Sequence, residues 1–491
     1  MNTEHLPVLL VVVPLLAAPL VVLSRSGRAG WAITALSSFI AFACAVGLFF
    51  EVRDGAVISY AIGNWAPPWG IEYRVDVLNA FVLVLVSGVG AVVSVYARTS
   101  VIHEIPSDRH YLFYAMFALC LSGLLGMTVT NDVFNIFVFL EISSLSGYVL
   151  IALGRARRAL HAAFQYLILG TIGATFYIIG VGFLYLVTGT LNIVDMSARI
   201  QSVADYRPVL AALAFMTVGL SLKAALFPLH GWLPGAYSTA PGTVAAFMAG
   251  TATKVSIYVL IRLLFGVFGA RLVLRDLPLL EALSLLSIAA MLVASLVAVM
   301  EKDLKRLLAY SSVAQIGYIT LGVSLANTDG LTAAVLHLFN HGIAKVALFM
   351  LVGGAIMRFG NCRLDSLAGM GRRMPLSAIG IVFAGLSLIG VPGTAGFITK
   401  WHLVLAAVEA GHWLMVASIG ASSMLAAAYV WRFVEAAYFT PPASQPVREA
   451  PAGMLVPGLA MTAACVYFGL DTSFTVGAAS NAAAMLLGGL R

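Results

Sequence analysis

The stretch that decides the fold is residues 219–234, which read GLSLKAALFPLHGWLP. It closes an apolar run long enough for a membrane-spanning helix, yet it carries Lys223 and then Pro228. A proline removes a backbone donor and clashes with the preceding turn, so the helix must kink or unwind there. Unwound backbone at membrane depth is tolerated only where it is buried in protein or lines a water-filled cavity. The stretch therefore predicts a broken spanning helix with a lysine beside the break.

The composition of the whole chain also indicates a membrane protein. Of its 491 residues, 61% are hydrophobic and 10% are charged, whereas soluble domains carry roughly 25% charged residues. The mean hydropathy is +0.98, and no polar block is long enough to fold alone, which excludes a soluble protein and a membrane-anchored soluble enzyme. The net charge of +7 comes from scattered loop residues that form no basic stripe, so nucleic acid is not expected as a partner.

Apolar runs of about 20 residues, the length that a spanning helix needs, occur along the whole chain. The first run lacks the basic start and cleavage site of a signal peptide, so we interpret it as a span. We predict an all-α polytopic membrane protein with fourteen spans, at 6–23, 31–50, 76–96, 111–129, 131–153, 162–187, 208–227, 242–268, 278–300, 304–325, 330–357, 375–408, 411–439 and 451–470.

A second span is interrupted in the same way. Span 12 contains Pro392 within residues 390–393, which read GVPG, and it lies five spans after the break at Pro228 in span 7. Interrupted spans in corresponding positions are typical of inverted repeats. Pro and Gly are also common in membrane helices, which is the simpler explanation of either break alone. We predict two inverted five-helix repeats within four segments, 1–110 (spans 1–3), 111–268 (spans 4–8), 278–439 (spans 9–13) and 440–491 (span 14).

The loops on the two sides of the predicted bundle differ in their content of Lys and Arg. One set of loops holds sixteen of these residues, and the other set, counted with the chain end, holds seven. Loops rich in Lys and Arg stay in the cytoplasm. An even number of spans then places both termini outside the cytoplasm, in an inner membrane of bacterial type.

The cysteines give no sign of a metal centre. Cys44, Cys120, Cys362 and Cys465 lie far apart, so there is no CxxC pair to hold zinc or an iron–sulfur cluster. We predict neither a metal nor another cofactor in this chain.

Ionisable residues lie inside several apolar spans, where a charge costs roughly 2.5–3.5 kcal/mol. Glu141 is about half-way along span 5 and needs a cation, which Lys223 can supply. The pair could also be a static one that fixes helix register, although buried pairs stabilise proteins poorly. Lys254, inside span 8, has no acidic residue within a helical turn. A desolvated lysine of this kind can relay a proton.

Span 11 carries two histidines, His337 and His341, which share one helical face because they are four residues apart. Asn340 lies beside them, and Lys345 continues the face one turn further. This arrangement predicts a proton or ion path. A metal site is the alternative, but no third ligand is evident. Lys400, after the second break, ends a row of titratable groups that is continuous only if the two repeats pack side by side.

Together these residues closely resemble the antiporter-like family of proton-pumping membrane subunits. That family occurs in respiratory complex I, in membrane-bound hydrogenases and in Mrp-type cation/proton antiporters. The resemblance covers essentially all fourteen spans. It rests on the segments Phe139–Ser144, Lys223–Pro234, Ala240–Lys254, Tyr310–Gly317 and Gly390–Lys400.

The resemblance implies two half-channels, one in each repeat, joined at mid-membrane by a hydrated axis. Glu141 would pair with Lys223, Lys254 would bridge the repeats, the histidine pair would extend the axis, and Lys400 would connect to the far side. Breaking and remaking the Glu141–Lys223 pair would drive proton release by electrostatics, without bond chemistry.

Three features narrow the choice among members of this family. The chain ends at Arg491, which leaves no room for the long lateral helix of the largest family members. Lys400 stands where one complex I subtype is expected to have glutamate. The segment Trp232–Pro241 looks most like the D-type subunit of Mrp antiporters, although Gly235 replaces the acidic residue of many relatives.

We therefore expect a proton-translocating subunit of a multisubunit Mrp-type Na+/H+ antiporter. Its expected partners are other membrane subunits. The expected transported ion is the proton, and Na+ is a further candidate. The alternative is a proton-pumping membrane subunit of a complex I-type NADH:quinone oxidoreductase or of a membrane-bound hydrogenase. A stand-alone transporter of unrelated fold would explain the broken spans but not the serial row of Glu, Lys and His. A scaffold would not explain the buried charges.

Overall fold

The structure is a computed structural model that describes residues 3–155, 157–203, 206–269, 278–441 and 447–488. Arg271, Arg275 and Arg491, which the prediction of orientation counts, lie outside these residues. Thirteen helices within the described residues are long and apolar enough to cross a membrane. They are Leu6–Ser24, Gly27–Val52, Val77–Glu104, Ser107–Val129, Val133–Ala152, Arg157–Thr188, Arg207–Ala224, Gly242–Val267, Leu279–Met300, Leu304–Leu325, Thr328–Phe359, Trp413–Phe439 and Ala452–Leu470.

The remaining predicted span, 375–408, consists of two helices, Pro375–Ile389 and Ala395–Glu409. Each has 15 residues, and a helix of that length falls short of the roughly 30 Å of bilayer hydrocarbon. With this broken span, all fourteen predicted spans correspond to helical segments. The predicted all-α polytopic fold is confirmed.

The first break lies at Pro228, as the sequence predicted. The helix of span 7 ends at Ala224, the next residue is left-handed with φ 56°, and the helix resumes at Trp232–Thr239. The predicted end of span 7, at residue 227, was three residues too late. The reason is that Ala225 turns the chain before the proline does, and nothing in an alanine side chain signals this conformation.

The second break has the same construction. The helix Pro375–Ile389 ends at Gly390, which has φ 85°, and Pro392 lies in the non-helical segment before Ala395. A left-handed glycine after the last helical residue is a common helix terminator. Both breaks therefore combine a left-handed residue with a proline two or three residues later.

Irregular turns within other spans were not predicted. Span 8 is divided at Thr251, with φ −126° and ψ −61°, into Gly242–Gly250 and Ala252–Ile261, and it ends in a π-helical turn, Arg262–Val267. Span 9 has a π-helical turn, Ala290–Ala294, and span 13 ends in another, Glu435–Phe439. Single π-turns inside α-helices are frequent at functional sites.

A two-stranded antiparallel hairpin between spans 2 and 3 was also not predicted. Strand β1, Ile58–Ala61, pairs with strand β2, Glu72–Val75, with Ile58 opposite Val75. After span 14 the chain forms a further apolar helix, Ser473–Leu487, which the sequence prediction missed. Short helices complete the described residues: Thr3–His5, Ile62–Asn64, Ser107–Arg109, Ile193–Ile200, Leu364–Leu367 and Met370–Arg373.

The centre of the bundle is span 11, Thr328–Phe359, which begins at the N-cap Asn327. Every residue of span 11 from Gly330 to Ala355 is buried. The histidines and the lysine of this span are therefore surrounded by other helices. Intramembrane polar residues of functional importance almost always face the interior of a bundle in this way.

Candidate functional site

Glu141 and Lys223 lie next to each other, as the sequence predicted for spans 5 and 7. The Lys223 Nζ atom is 3.7 Å from Glu141 Oε1. The lysine side chain is 3% exposed, while that of the glutamate is 24% exposed. At 3.7 Å the two atoms attract each other electrostatically but are too far apart for a hydrogen bond. The role of the pair in transport stays a prediction.

The hydrogen bonds of Lys223 go to two hydroxyl groups that the sequence analysis did not single out. Lys223 Nζ donates to Ser144 Oγ at 2.7 Å and to Tyr148 Oη at 3.3 Å. Both residues are on span 5, three and seven positions after Glu141, so all three share one helical face. A periodicity check starting from Glu141 could have found them.

A small cavity adjoins Lys223 on the side of span 8. Its volume is about 20 Å³, and it is lined in part by Ser144, Lys223 and Ser256. A polar cavity of this size can hold one water molecule. The cavity therefore lies between Lys223 and the face of span 8 that carries Ser256.

Lys254 is fully buried in span 8. Its Nζ atom folds back to donate to the carbonyl oxygen of Ala249, and Thr253 Oγ1 is 3.4 Å away. The kink at Thr251 lies between this carbonyl and the lysine. Neutral oxygen atoms therefore bind the lysine, and within the described residues no carboxylate forms an ion pair with it.

The two histidines of span 11 stack on each other. The rings of His337 and His341 are 5.6 Å apart between centroids and inclined by 12°. His337 Nε2 lies 2.8 Å from Gln315 Oε1 on span 10. His337 Nδ1 and both ring nitrogens of His341 have no hydrogen-bond partner among the described residues. Buried polar atoms usually have a protein or water partner, so these three nitrogens are suited to bind water.

Lys345 and Lys400 are held in a similar way to Lys254. Lys345 Nζ donates to the Leu308 carbonyl at 2.7 Å and to Ser311 Oγ. Lys400 Nζ donates to the carbonyls of Leu388 and Ile389, at 3.1 and 2.8 Å, and to a serine hydroxyl on span 13, Ser423 Oγ, at 2.9 Å. These two carbonyls end the first helix of broken span 12, where a cation is favoured by the helix dipole. The second break therefore provides the ligands of Lys400.

One face of span 10 links these groups. Two of its residues lie in the segment Tyr310–Gly317, which carries the family resemblance, but their contacts were not predicted. Ser311 binds Lys345, Gln315 binds His337, and the ring of Tyr318 lies 4.6 Å from Lys400 Nζ. The three residues are spaced by four and three positions, so they share one face. The structure thus brings the histidines, Lys345 and Lys400 to one polar strip.

Comparison with known proteins shows which family the chain belongs to. Residues 130–426 match the family described as NADH:quinone oxidoreductase/Mrp antiporter, TM. All six titratable residues of the predicted row, from Glu141 to Lys400, lie within this segment. The chain belongs to this family.

Individual relatives cover between about three quarters and nearly all of the chain. It is 43% identical to the N-type subunit of NADH-quinone oxidoreductase from Desulforudis audaxviator, over 95% of this chain and 96% of that protein. It is 31% identical to the D-type subunit of the Na(+)/H(+) antiporter from Alkalihalophilus pseudofirmus, over 73% of this chain and 72% of that protein. A chain of the Mrp complex from Dietzia sp. DQ12-45-1b has a TM-score of 0.91 at 28% identity, covering 99% of this chain and 98% of that one. The resemblance inferred from the motifs is confirmed.

A larger polar cavity opens at one end of the bundle, near the loops that are rich in Lys and Arg. Its volume is about 1240 Å³. Its basic lining residues are Arg155, Arg158, Lys302, Lys305, Arg306 and Arg363. The Lys305 side chain is buried and donates to the Ala240 carbonyl at 2.6 Å. Water can therefore approach the start of span 10 through a cavity that was not predicted.

The opposite end of span 8 is tied to span 3 by a buried ion pair that was not predicted. Arg262 makes a two-pronged contact with Asp76, with both N···O distances 2.8 Å. Asp76 also caps span 3 by accepting from the backbone N–H groups of Leu78 and Asn79. Arg262 further donates to Tyr258 Oη at 3.3 Å. The pair holds this end of span 8 in place, two turns from Lys254.

A second carboxylate, Glu72, holds the hairpin onto the bundle. It accepts hydrogen bonds from Ser59 Oγ at 2.5 Å, Asn131 Nδ2 at 2.7 Å and Asn192 Nδ2 at 2.9 Å. Burial opposes ionisation of Glu72, but the hydrogen bonds outweigh it and lower the pKa of this carboxyl below its usual value. Glu72 therefore joins the hairpin to the loops that follow spans 4 and 6.

Within the described part of the chain, no three His, Cys, Asp or Glu side chains converge as a metal site would require. The four cysteines are buried and unpaired.

Proposed function

We propose that this chain is the proton-translocating subunit of a multisubunit Mrp-type Na+/H+ antiporter. The observation that carries the proposal is how four buried lysines are bound, three from the predicted row and Lys345. Lys254, Lys345 and Lys400 are held by carbonyl and hydroxyl oxygens, and of the four only Lys223 also has a carboxylate nearby among the described residues. Neutral ligands stabilise an ammonium group without locking it into an ion pair. Each lysine can therefore give up and regain a proton while its surroundings stay in place.

Glu141 and Lys223 would act as the electrostatic switch of this row. Their separation of 3.7 Å lies between a closed hydrogen-bonded pair and an open one. Closing the pair favours a charged lysine, and opening it favours release of the lysine proton. The water-sized cavity beside Lys223 would pass that proton towards Lys254. The stacked histidines and the polar strip of span 10 would carry it on to Lys400.

We also propose the inverted-repeat division at residues 111–268 and 278–439, with the two helix breaks in corresponding positions. The two breaks have similar backbone construction, which supports this division. The end of the bundle with the basic cavity would face the cytoplasm, by the positive-inside rule. Both termini would then lie outside the cytoplasm of a bacterial-type inner membrane. The partners would be other membrane subunits, as in the Mrp complex that this chain resembles.

Transport by a variant of Glu141 tests the proposal. Glu141→Ala should abolish Na+-driven proton flux in inverted membrane vesicles that carry the complete complex, while the assembled complex is retained. Asp54→Ala, a change of an exposed carboxylate between spans 2 and 3, is the control and should leave flux intact. Normal flux in Glu141→Ala vesicles would refute the proposed mechanism.

A second candidate function has its own support. The 43% identity to an N-type subunit of NADH-quinone oxidoreductase extends over 95% of the chain, so the chain could instead pump protons in a redox-driven complex. Purification of the native complex in mild detergent, followed by mass spectrometry of its subunits, separates the two. Small membrane subunits alone support the antiporter. Co-purifying flavin or iron–sulfur proteins would assign the same residues to a redox-driven proton pump.

A further inference from the structure

The ligands of Lys223 are arranged in a line along span 5. Glu141, Ser144 and Tyr148 occupy one helical face, and the ammonium group lies closest to Ser144, at 2.7 Å. Tyr148 Oη follows at 3.3 Å, and the carboxylate oxygen of Glu141 is furthest away, at 3.7 Å. Glu141 Oε1 has no hydrogen-bond partner among the described residues. The hydroxyl groups, and not the carboxylate, therefore receive the hydrogen bonds of the lysine.

The fold leaves space for the tyrosine hydroxyl in this position. Gly170 on span 6 lies against it, and a Cβ atom at Gly170 would overlap with Tyr148 Oη and come within 3.4 Å of Lys223 Nζ. Any larger residue at this position would displace the tyrosine or the lysine. Span 6 can therefore approach this hydroxyl group closely only because residue 170 is a glycine, which has no side chain.

Aromatic packing connects the same tyrosine to the first helix break. The ring of Tyr148 meets that of Tyr166 edge-on, with centroids 4.6 Å apart. Tyr166 in turn stacks on Trp232 at 3.9 Å. The indole N–H of Trp232 donates to the Leu222 carbonyl at 2.8 Å. Because Leu222 precedes Lys223, this chain of contacts determines where the end of the span 7 helix lies relative to Tyr148.

We propose that Ser144 and Tyr148 form a hydroxyl cradle that holds Lys223 apart from Glu141 and so controls how readily the ion pair closes. Both are positioning residues, since they act through Lys223. This inference rests on the proposed function, because it assigns a role only if the Glu141–Lys223 pair takes part in transport. Without the cradle, the nearest remaining polar partner of the ammonium group is Glu141, and the closed pair would be favoured throughout the cycle.

Variants that remove only the hydroxyl groups test the cradle. Ser144→Ala and Tyr148→Phe, made in the complete complex, should each lower proton flux by at least about tenfold, as expected for losing one hydrogen bond to a charged group. The pH of half-maximal flux should move by about half a unit or more. Ser144→Thr, which keeps a hydroxyl group, should restore both flux and pH profile.

Ser146→Ala is the matched control on the same helix. The Ser146 hydroxyl is buried as well, but it donates to carbonyl oxygens of its own helix, at 2.6 Å from Ile142 O, and does not bind the lysine. Wild-type flux and an unchanged pH profile in both cradle variants would overturn the proposal, as would an equal loss in Ser146→Ala. If Tyr148→Phe fails to assemble, Ser144→Cys, with a weaker acceptor of similar size, provides the same test.

The Glu141→Ala variant keeps the two proposals apart. Normal flux in Glu141→Ala would overturn the proposed function, whatever the cradle variants do. Lost flux in Glu141→Ala, combined with unaltered flux and pH profile in Ser144→Ala and Tyr148→Phe, would overturn the cradle alone.

Discussion

At the scale of single residues, the central problem is how this chain keeps charged groups inside a membrane. Lys254 is the extreme case, because its side chain is fully buried and is bound by a carbonyl oxygen and a hydroxyl group only. Removing one partner of a buried ion pair usually destabilises a protein, since an unpaired charge remains. Lys254 has no such partner among the described residues. Its loss should therefore affect transport more than folding.

Lys254→Met tests this expectation. Methionine is similar in length and carries no charge, so the variant should assemble normally, while proton flux through the complex should fall at least about tenfold. Arg53→Met, at an exposed position between spans 2 and 3, is the control and should leave flux unchanged. Flux measured with a pH-sensitive dye in inverted vesicles checks both. Normal flux in Lys254→Met would remove this residue from the proton path.

At the scale of helices, the second break supplies carbonyl ligands to Lys400. Gly390 shows this most directly, because its φ of 85° ends the first helix of span 12 and exposes the carbonyls that bind Lys400. A Cβ atom at Gly390 would also lie 2.8 Å from Lys400 Cδ. The break therefore depends on two properties of Gly390: its left-handed backbone conformation and the absence of a side chain next to Lys400.

Gly390→Ala and Gly393→Ala separate these two requirements. Gly393 has φ 86°, almost the same as Gly390, but a Cβ atom there would meet no described atom within 4 Å. Both substitutions carry backbone strain of about 1–2 kcal/mol. Only Gly390→Ala would also displace Lys400. We expect Gly390→Ala to lose most proton flux and Gly393→Ala to keep it, at equal levels of assembled complex. Equal flux in the two variants would contradict this account of the break.

The hairpin gives a prediction about pH. Glu72 ionises more readily in the folded protein than in the unfolded chain, where a glutamate has a pKa of about 4.3. Its stabilising contribution is therefore complete above about pH 5 and disappears as the pH falls through the lower pKa of the folded state. Glu72→Gln should lower the thermal unfolding temperature of the purified complex at pH 7, because a charge-assisted hydrogen bond is worth about 1.5–3 kcal/mol.

The difference in unfolding temperature between wild type and Glu72→Gln should shrink as the pH falls from 5 to 3. Glu51→Gln, at an exposed carboxylate in span 2, is the control and should unfold like wild type at each pH. A constant difference between wild type and Glu72→Gln across this range would show that the Glu72 charge does not stabilise the hairpin.

At the scale of the whole molecule, the sequence predicts the number of spans and the row of titratable groups because both depend on strong signals. Apolar runs of about 20 residues and charged residues inside them are conspicuous in a linear sequence. The ligands of the row are not, because hydroxyl and amide side chains such as Ser144, Gln315 and Ser423 are common in membrane helices. Their role depends on which neighbouring helix they face, and only packing determines that.

The irregular backbone segments were the other feature of the structure that could not be predicted from the sequence. The kink at Thr251 has no proline or glycine at its centre, and Ala225 adopts a left-handed conformation that alanine rarely does. Neither residue type signals the conformation that it adopts here. The hairpin was missed because its strands have only four residues each, too few for a clear alternating pattern.

The most direct test of the central claim, that this row of buried groups carries protons, is the proton flux of the complete complex with Lys223→Ala. The expected result is loss of flux, because Lys223 is proposed to join the switch at Glu141 to the rest of the row. Assembly should be normal, because the carboxylate that remains, Glu141, is 24% exposed and is not left as a fully buried charge. Arg358→Ala, at an exposed position in the last turn of span 11, is the matched control and should transport normally. Proton flux at the wild-type level in Lys223→Ala would contradict the account.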